Sequence, residues 1–350
     1  METGVQCEAV TDWRDILSLR EAWNVLLARS RCNLAFNSAQ CYFAVPLILP
    51  ELSPLLCIAR RAGTMRGILP LWRDQRRQEV RFPHQYCDEY IDIIAADDDL
   101  EVMAGLLAFA LQQTSRYGTL SLRGLKRDSN CVRAACALGF SSQVEQGFAA
   151  GAGGECAVID LGIGYEAYLK TLSRKFRSHL NRMRHKAAAN GVVVRELQPE
   201  DLTPEHLPAT FLSLHSARFG EASKLAAPLG VAWIQHLFPS LFAERRLRAF
   251  AVLLADQITG ITLAMVSGSG LYYWNGGFLP EVQQYDPGKL LIDKMIQQCC
   301  AESFGEFDFA YGKQQYKAHW RPAIRRVGDL QFGGPEYQTA RAVQRSELSP

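Results

Sequence analysis

The order of elements along this chain repeats, and that repetition limits the fold more than any other feature. Leu55 to Trp72 reads as a hairpin. Leu55, Leu56, Ile58 and Ala59 form one arm, Arg61 to Arg66 carry the turn with Gly63, and Gly67 to Trp72 return. Tyr90 to Ala95 follows as a short strand. Asp97, Asp98 and Asp99 then cap a helix over Leu100 to Ser115, because acids suit a helix N-terminus. Gly118 ends that region and Thr119 to Leu125 is a strand. Far downstream the order returns. Leu247 to Leu254 and Ile258 to Val266 form a hairpin about Ala255-Asp256-Gln257, Leu271 to Asn275 a strand, Asp286 to Glu302 a helix and Phe307 to Tyr311 a strand. Gly67-Ile68-Leu69-Pro70-Leu71 answers Gly260-Ile261-Thr262-Leu263-Ala264, and Tyr117-Gly118-Thr119 answers Phe304-Gly305-Glu306. The landmarks lie 51 residues apart in the first copy (67 to 118) and 45 in the second (260 to 305). The pattern predicts a duplicated α/β unit.

The intervening segments complete this outline. Trp13 to Ser30 reads as a helix, with Ile16, Leu19, Trp23, Leu26 and Leu27 at three- and four-residue steps. Cys131 to Leu138 reads as a small helix and the region of Phe140 as a strand. Tyr165 to Asn190 reads as one long helix stopped by Gly191, and Val192 to Leu197 as a strand. Pro204 to Phe219 and Trp233 to Glu244 read as helices. The small-residue run over residues 147–155 is the best linker candidate. At 350 residues the chain exceeds one ordinary domain. The expected division is 1–150, 151–330 and a polar tail over 331–350.

Composition removes several classes. With 38 Lys plus Arg against 36 Asp plus Glu, the net charge of +2 does not suit a general nucleic-acid binder. Ten cysteines in 350 residues are too dilute for a disulfide scaffold, and none forms a C-x-x-C pair, so zinc ribbons and thioredoxin-like motifs are out. A reducing cytoplasm is the simplest expectation. The N-terminus lacks the apolar region of a signal peptide. No run approaches the ~18 apolar residues of a membrane span. No metal site is expected.

Four groups of residues could carry chemistry. Asp286-Pro287-Gly288-Lys289 opens a helix: Asp286 suits the N-cap, Pro287 the first turn, and Gly288 close ligand approach. Free amides, the helix dipole and Lys289 there attract phosphate, although Asp286 repels it; the plainer alternative is a capped core helix. Phe307-Asp308-Phe309 puts a carboxylate on the opposite face of a strand from two rings, with Tyr316, Lys317 and His319 close behind. Asp308 is either a base or half of a salt bridge. The helix Ser173 to Ala187 has an apolar stripe of Leu172, Phe176, Leu180, Met183 and Ala187 on an otherwise basic surface. Arg177, Asn181 and Arg184 share one face, which suits the phosphates of a cofactor, of a lipid- or nucleotide-linked substrate, or of RNA. A solvated face balanced by acids elsewhere is the alternative. His215 and Arg218 lie one turn apart on a fourth helix. G-x-S-x-G, Walker A, G-x-G-x-x-G and H-E-x-x-H motifs are missing from the sequence.

The second half resembles the GNAT acyltransferase superfamily, in the branch named for acetyltransferases of cellulose and exopolysaccharide biosynthesis; Fem-type peptidoglycan aminoacyltransferases are its duplicated cousins. The resemblance rests on Phe176-Arg177-Ser178-His179-Leu180-Asn181-Arg182-Met183-Arg184, His215-x-x-Arg218, Pro287-Gly288, and Phe307-Asp308-Phe309 with Gly312 and Tyr316-Lys317-x-x-Trp320. The first half matches only as a degenerate second copy. The resemblance implies an α/β (α+β) fold of duplicated mixed sheets flanked by helices, a sheet that splays to admit a pantetheine chain, and an acyl-CoA pyrophosphate near Pro287. It implies direct attack of an amine or hydroxyl on the thioester, with no acyl-enzyme. The chain departs from the family at Asp286, where Ser is usual, and at Lys313-Gln314, where acids are usual.

The resulting expectation is an acyl-CoA-dependent N- or O-acyltransferase, acting on a sugar or a polysaccharide precursor, peripheral to a membrane-bound synthesis complex. Asp308, His215, Tyr316 and Lys317 are its expected catalytic residues. Pro287, Gly288 and Lys289 would hold the acetyl-CoA or other acyl-CoA, and Arg177, Arg184, Arg218 and Lys313 the acceptor. No DNA partner is expected. The alternatives are aminoacyl transfer from charged tRNA, or a non-catalytic binding protein on this scaffold.

Overall fold

A computed structural model of the chain describes residues 4–83, 90–96, 99–115, 118–150, 152–220, 223–312 and 315–333. The chain divides into two compact units, Met1–Gly154 with Arg326–Pro350, and Glu155–Arg325. The first runs through β1 (Gln6–Val10), α1 (Trp13–Ser18), α2 (Arg20–Ala28), α3 (Ala39–Ile48), β2 (Ser53–Arg61), β3 (Thr64–Asp74), β4 (Glu79–Arg81), β5 (Ile94–Ala95), α4 (Leu100–Thr114), β6 (Thr119–Lys126), α5 (Asn130–Ala137) and α6 (Ser141–Gly147). The second runs through β7 (Gly154–Asp160), α7 (Tyr165–Thr171), α8 (Arg174–Ala189), β8 (Val192–Leu197), α9 (Leu207–Phe219), α10 (Pro228–Ala243), β9 (Leu247–Leu254), β10 (Gln257–Ser267), β11 (Gly270–Phe278), α11 (Pro287–Ala301) and β12 (Glu306–Tyr311). The last strand, β13 (Ala323–Phe332), takes the chain back to the first unit.

The two units share one topology. The first has strand order β1-β2-β3-β4-β6-β13, with β5 added beside β3; the second has β8-β9-β10-β11-β12-β7. In each, among the described residues, a parallel contact joins the strands on either side of a crossover helix: β4 with β6 around α4, and β11 with β12 around α11. The hairpins and crossover helices fall where the sequence repeat puts them. Their mixed sheets flanked by helices are the fold class that the family resemblance implies.

Local differences have physical causes. The helix expected over Trp13 to Ser30 breaks at Leu19, which closes α1 with a bond to Ile16 before α2 begins. The helix expected over Tyr165 to Asn190 breaks at Leu172, which is extended; Ser173 then caps α8 by accepting from the Phe176 amide. Phe140 lies in no strand, because its amide bonds back to Ala135 and α6 starts at once. Only Ile94 and Ala95 of the expected strand at Tyr90 pair, with Ile68 and Gly67. Asp99 caps α4 through the Val102 amide, whereas Asp97 and Asp98 lie outside the described residues. Tyr117 also lies outside them. The run over 147–155 includes the buried Phe148 and the first residues of β7. Gln331 and Phe332 complete β13, and residues 334–350 lie outside the described residues.

The core of the second unit packs α7, α8 and α11 on its sheet. The stripe Leu172, Phe176, Leu180, Met183 and Ala187 is buried there with Leu291, Met295, Phe307 and Phe309. α9 lies along β11, touching α10 on one side.

Candidate functional site

The feature that shapes the site is the parting of β11 from β12. Their parallel ladder covers three residue pairs, Gly270 with Glu306, Leu271 with Phe307 and Tyr272 with Asp308. Beyond these, β11 runs on to Phe278 and β12 to Tyr311 with no further pairing between them. Tyr273 and Phe309, the next residues on the two strands, have ring centroids 6.2 Å apart, and Tyr316 meets Phe309 at the same separation. The ladder of β12 with β7 is also irregular there, between Asp308 and Tyr311.

α9 forms one wall. Its backbone presses on Gly277, where an added Cβ would stand 2.3 Å from the Leu214 carbonyl oxygen and 2.4 Å from the His215 nitrogen. Only glycine permits that approach. It sets His215 among the Phe211 and Phe219 rings, 2% exposed, with Nε2 2.7 Å from Ser223 Oγ. Burial lowers the imidazole pKa and the Arg218 charge adds to that, while the Gly276 carbonyl opposes them. The ring is therefore neutral near pH 7. One turn on, the Arg218 guanidinium lies 4.5 Å from the ring centroids of both Phe219 and Phe278. It also reaches the Tyr273 side chain, which in turn meets Tyr316. Burial pushes both phenols above their ordinary value, so they remain protonated donors.

The structure thus gathers His215, Arg218 and Tyr316 and adds Tyr273, Ser223 and Phe278, which the sequence reading did not single out. A signal was present in Gly276-Gly277, since paired glycines in a strand mark close backbone approach.

Other expected residues have internal partners. Asp308 is fully buried; Oδ1 accepts from the Ala310 amide at 2.7 Å and Oδ2 lies 3.2 Å from Arg325 Nη1, so the salt-bridge alternative is the arrangement found. The Lys317 ammonium donates to the carbonyls of Phe309, Ala310, Tyr311 and Gly312 at 3.0 to 3.1 Å. Arg177 donates to the carbonyls of Lys170 and Leu172, at the end of α7. Arg184 grips the buried Asp293 with Nε and Nη2 at 2.8 and 2.6 Å, and also Tyr165. The anion that the basic face required is therefore an internal carboxylate. Lys313 lies outside the described residues.

Pro287, Gly288 and Lys289 form the first turn of α11, and open space surrounds the missing Cβ of Gly288. Asp286 precedes them with φ 56°, but its side chain does not cap the helix. It turns to His179 at 3.0 Å and to Lys289. Burial would raise its pKa, but these two partners hold it below the usual carboxylate value. Among the described residues no group of His, Cys, Asp or Glu could hold a metal ion.

Residues 174–318 match the family model described as acetyltransferase (GNAT) domain. No curated protein matches the sequence. Among solved structures, the chain is similar to FemX, with TM-score 0.67 and 12% identity over 97% of this chain and 99% of that one. It is also similar to the C-terminal domain of a putative lysylphosphatidylglycerol synthetase from Agrobacterium fabrum, with TM-score 0.55 and 11% identity over 95% and 96%. L-PGS from Bacillus licheniformis gives TM-score 0.54 and 12% identity over 99% of both chains. At such identities the likeness is one of fold. The match over residues 174–318 to an acetyltransferase (GNAT) domain supports an acyltransferase.

Proposed function

We propose that this acyltransferase moves an acyl group, acetyl in the simplest case, from coenzyme A directly to an amine or hydroxyl. The observation that carries this reading is the parting of β11 from β12 beyond Tyr272 and Asp308, at the end of β11 from which the chain passes to the first turn of α11. A pantetheine arm is extended and carries amides, so it can bond to strand edges that have lost their partner. Pro287, Gly288 and Lys289 would receive the diphosphate at the positive end of α11, against the opposing charge of Asp286.

In this reading the acceptor attacks the thioester carbonyl carbon. Its proton passes to neutral His215, the C–S bond breaks, and the leaving thiolate takes that proton back from the imidazolium, which restores the neutral ring. Tyr316, Tyr273 and Arg218 supply donors for the negative charge that develops on the carbonyl oxygen. Arg177 and Arg184, tied up inside the fold, receive no acceptor role, and none is given to Lys313. A sugar or polysaccharide precursor as acceptor, and a cytoplasmic location beside a membrane-bound synthesis complex, follow from the family resemblance alone. Among the described residues no helix is long and apolar enough to cross a membrane.

Thermal unfolding with a series of acyl-CoAs tests the donor. A thioester present at 100-fold its Kd should stabilise the protein by ~2.7 kcal/mol. His215→Asn should lower kcat by roughly 10²–10⁴-fold and remove an acid limb of kcat/KM lying below the ordinary imidazole value of 6.5. No shift with any thioester would sink the reading.

A second reading is aminoacyl transfer from charged tRNA. α8 contains no acid, and Arg174, Lys175, Arg182 and His185 remain exposed on it. Binding of charged tRNA that falls steeply with salt would favour this reading.

A further inference from the structure

We propose that Lys317 and Asp308 are positioning residues, a wedge that keeps β11 and β12 apart by occupying the backbone groups through which the two strands would otherwise pair. The inference rests on the reading that this gap receives the donor.

Consecutive carbonyls of a regular strand point alternately to its two sides. The four carbonyls of Phe309, Ala310, Tyr311 and Gly312 instead converge on one atom, Lys317 Nζ, at 3.0 to 3.1 Å. The backbone achieves this by turning left-handed at Ala310, with φ 56°, and at Gly312, with φ 112°. Such values are costly for alanine and persist only where the surroundings impose them. Asp308 imposes the first, because Oδ1 takes the Ala310 amide two residues ahead at 2.7 Å. The amide of Gly312 is held by the Glu155 carbonyl at 3.2 Å.

Parallel pairing of β12 with β11 stops at Asp308, the residue where this clasp begins. To continue, β12 would have to present alternate carbonyls and amides to β11. The carbonyls are committed to the ammonium of Lys317, a residue 4% exposed, and the Ala310 amide to the carboxylate of Asp308, a fully buried residue. A buried ammonium surrounded by carbonyls is compensated, and it stays where it is because leaving them would strand its charge. The same geometry is unsuited to chemistry by either group. Lys317 directs its protons into main-chain oxygens, and Asp308 has one oxygen on an amide and the other against Arg325.

The test compares Lys317→Met, Asp308→Asn and Asp308→Ala in the full chain, with the donor thioester identified by thermal shift. Lys317→Met should raise KM for the donor at least tenfold, with kcat within about threefold of the parent and its pH profile unmoved. Asp308→Asn keeps an oxygen for the Ala310 amide and should retain near-parental kinetics, whereas Asp308→Ala should raise donor KM at least tenfold. A hundredfold loss of kcat at unchanged KM in Lys317→Met would overturn the proposal, as would parental kinetics in that variant. Equal loss of turnover in Asp308→Asn and Asp308→Ala would overturn it too, by making the carboxylate a base. A second measurement needs no donor. Hydrogen exchange of unliganded Lys317→Met, or of Asp308→Ala where the former does not fold, should slow at least tenfold at the amides of residues 273–275 and 309–312 through which the strands would pair, with β9 and β10 unchanged. That slowing in a protein that binds no thioester would leave the wedge standing and remove the donor assignment instead; unchanged or faster exchange there would overturn the wedge.

Discussion

A cation or carboxylate has a role only once its partners are known, and here the partners come from distant parts of the chain. Arg184 meets Asp293 across 109 residues, and Asp308 meets Arg325 across 17. Asp92 in the first unit is the reverse case, a carboxylate with no described cation on it. It caps α5 by accepting from the amides of Asn130 and Cys131 at 2.7 and 2.8 Å. Burial nevertheless raises its pKa from 3.8 to about 6, against the pull of those amides. Raised affinity for the proton in the folded state stabilises the protein fully below 3.8, and that stabilisation disappears as pH rises through about 6. Wild type should lose roughly 2 kcal/mol from this group between pH 4 and pH 7. Denaturant titrations of wild type and Asp92→Asn across that range should show the stability gap move by this amount in the variant's favour. A constant gap would contradict the assignment.

Elements were set by periodicity, but their ends and orientations by capping and contact. The apolar stripe of α8 predicted which face is buried, and that face is buried. Ser173 and the extended Leu172 split the longer helix, because a serine ahead of a basic run is a better N-cap than a helix interior residue. The α9–β11 contact depends on Gly277. Gly277→Ala would place a methyl group inside normal contact with the α9 backbone. It should cost about 1–3 kcal/mol of stability, as overpacking does, and move His215 away from Ser223. Chemical denaturation and kcat measured together would check this; unchanged values of both would mean that α9 is not seated by that glycine.

At the scale of the whole molecule, duplication explains the topology but not the chain path. β7 follows the first unit in sequence yet joins β12, and β13 follows the second unit yet pairs with β6. β13 contributes Leu330 and Phe332 to the first unit's core. A chain stopped after Arg325 loses both, and deletion of large buried side chains costs a few kcal/mol each. Limited proteolysis of that truncated chain should therefore degrade residues 4–154 well before residues 155–325. Equal resistance of the two regions would show that β13 is dispensable.

The sequence by itself determined the repeated hairpin–strand–helix–strand order, the buried stripe of α8, the opening of a helix at Pro287 and the pairing of His215 with Arg218 on one turn. All of these depend on residues within a few positions of each other, where spacing alone dictates which side chains share a face. Tertiary structure alone decided that Arg184 is neutralised by Asp293, that Lys317 serves four carbonyls, that Tyr273 completes the group around Tyr316, and that β13 belongs to the first unit. Those outcomes depend on which strand edges and helix faces meet across tens to hundreds of residues. Burial then settles each charge, because a group removed from water keeps its ionisation only with whatever partner the fold places beside it.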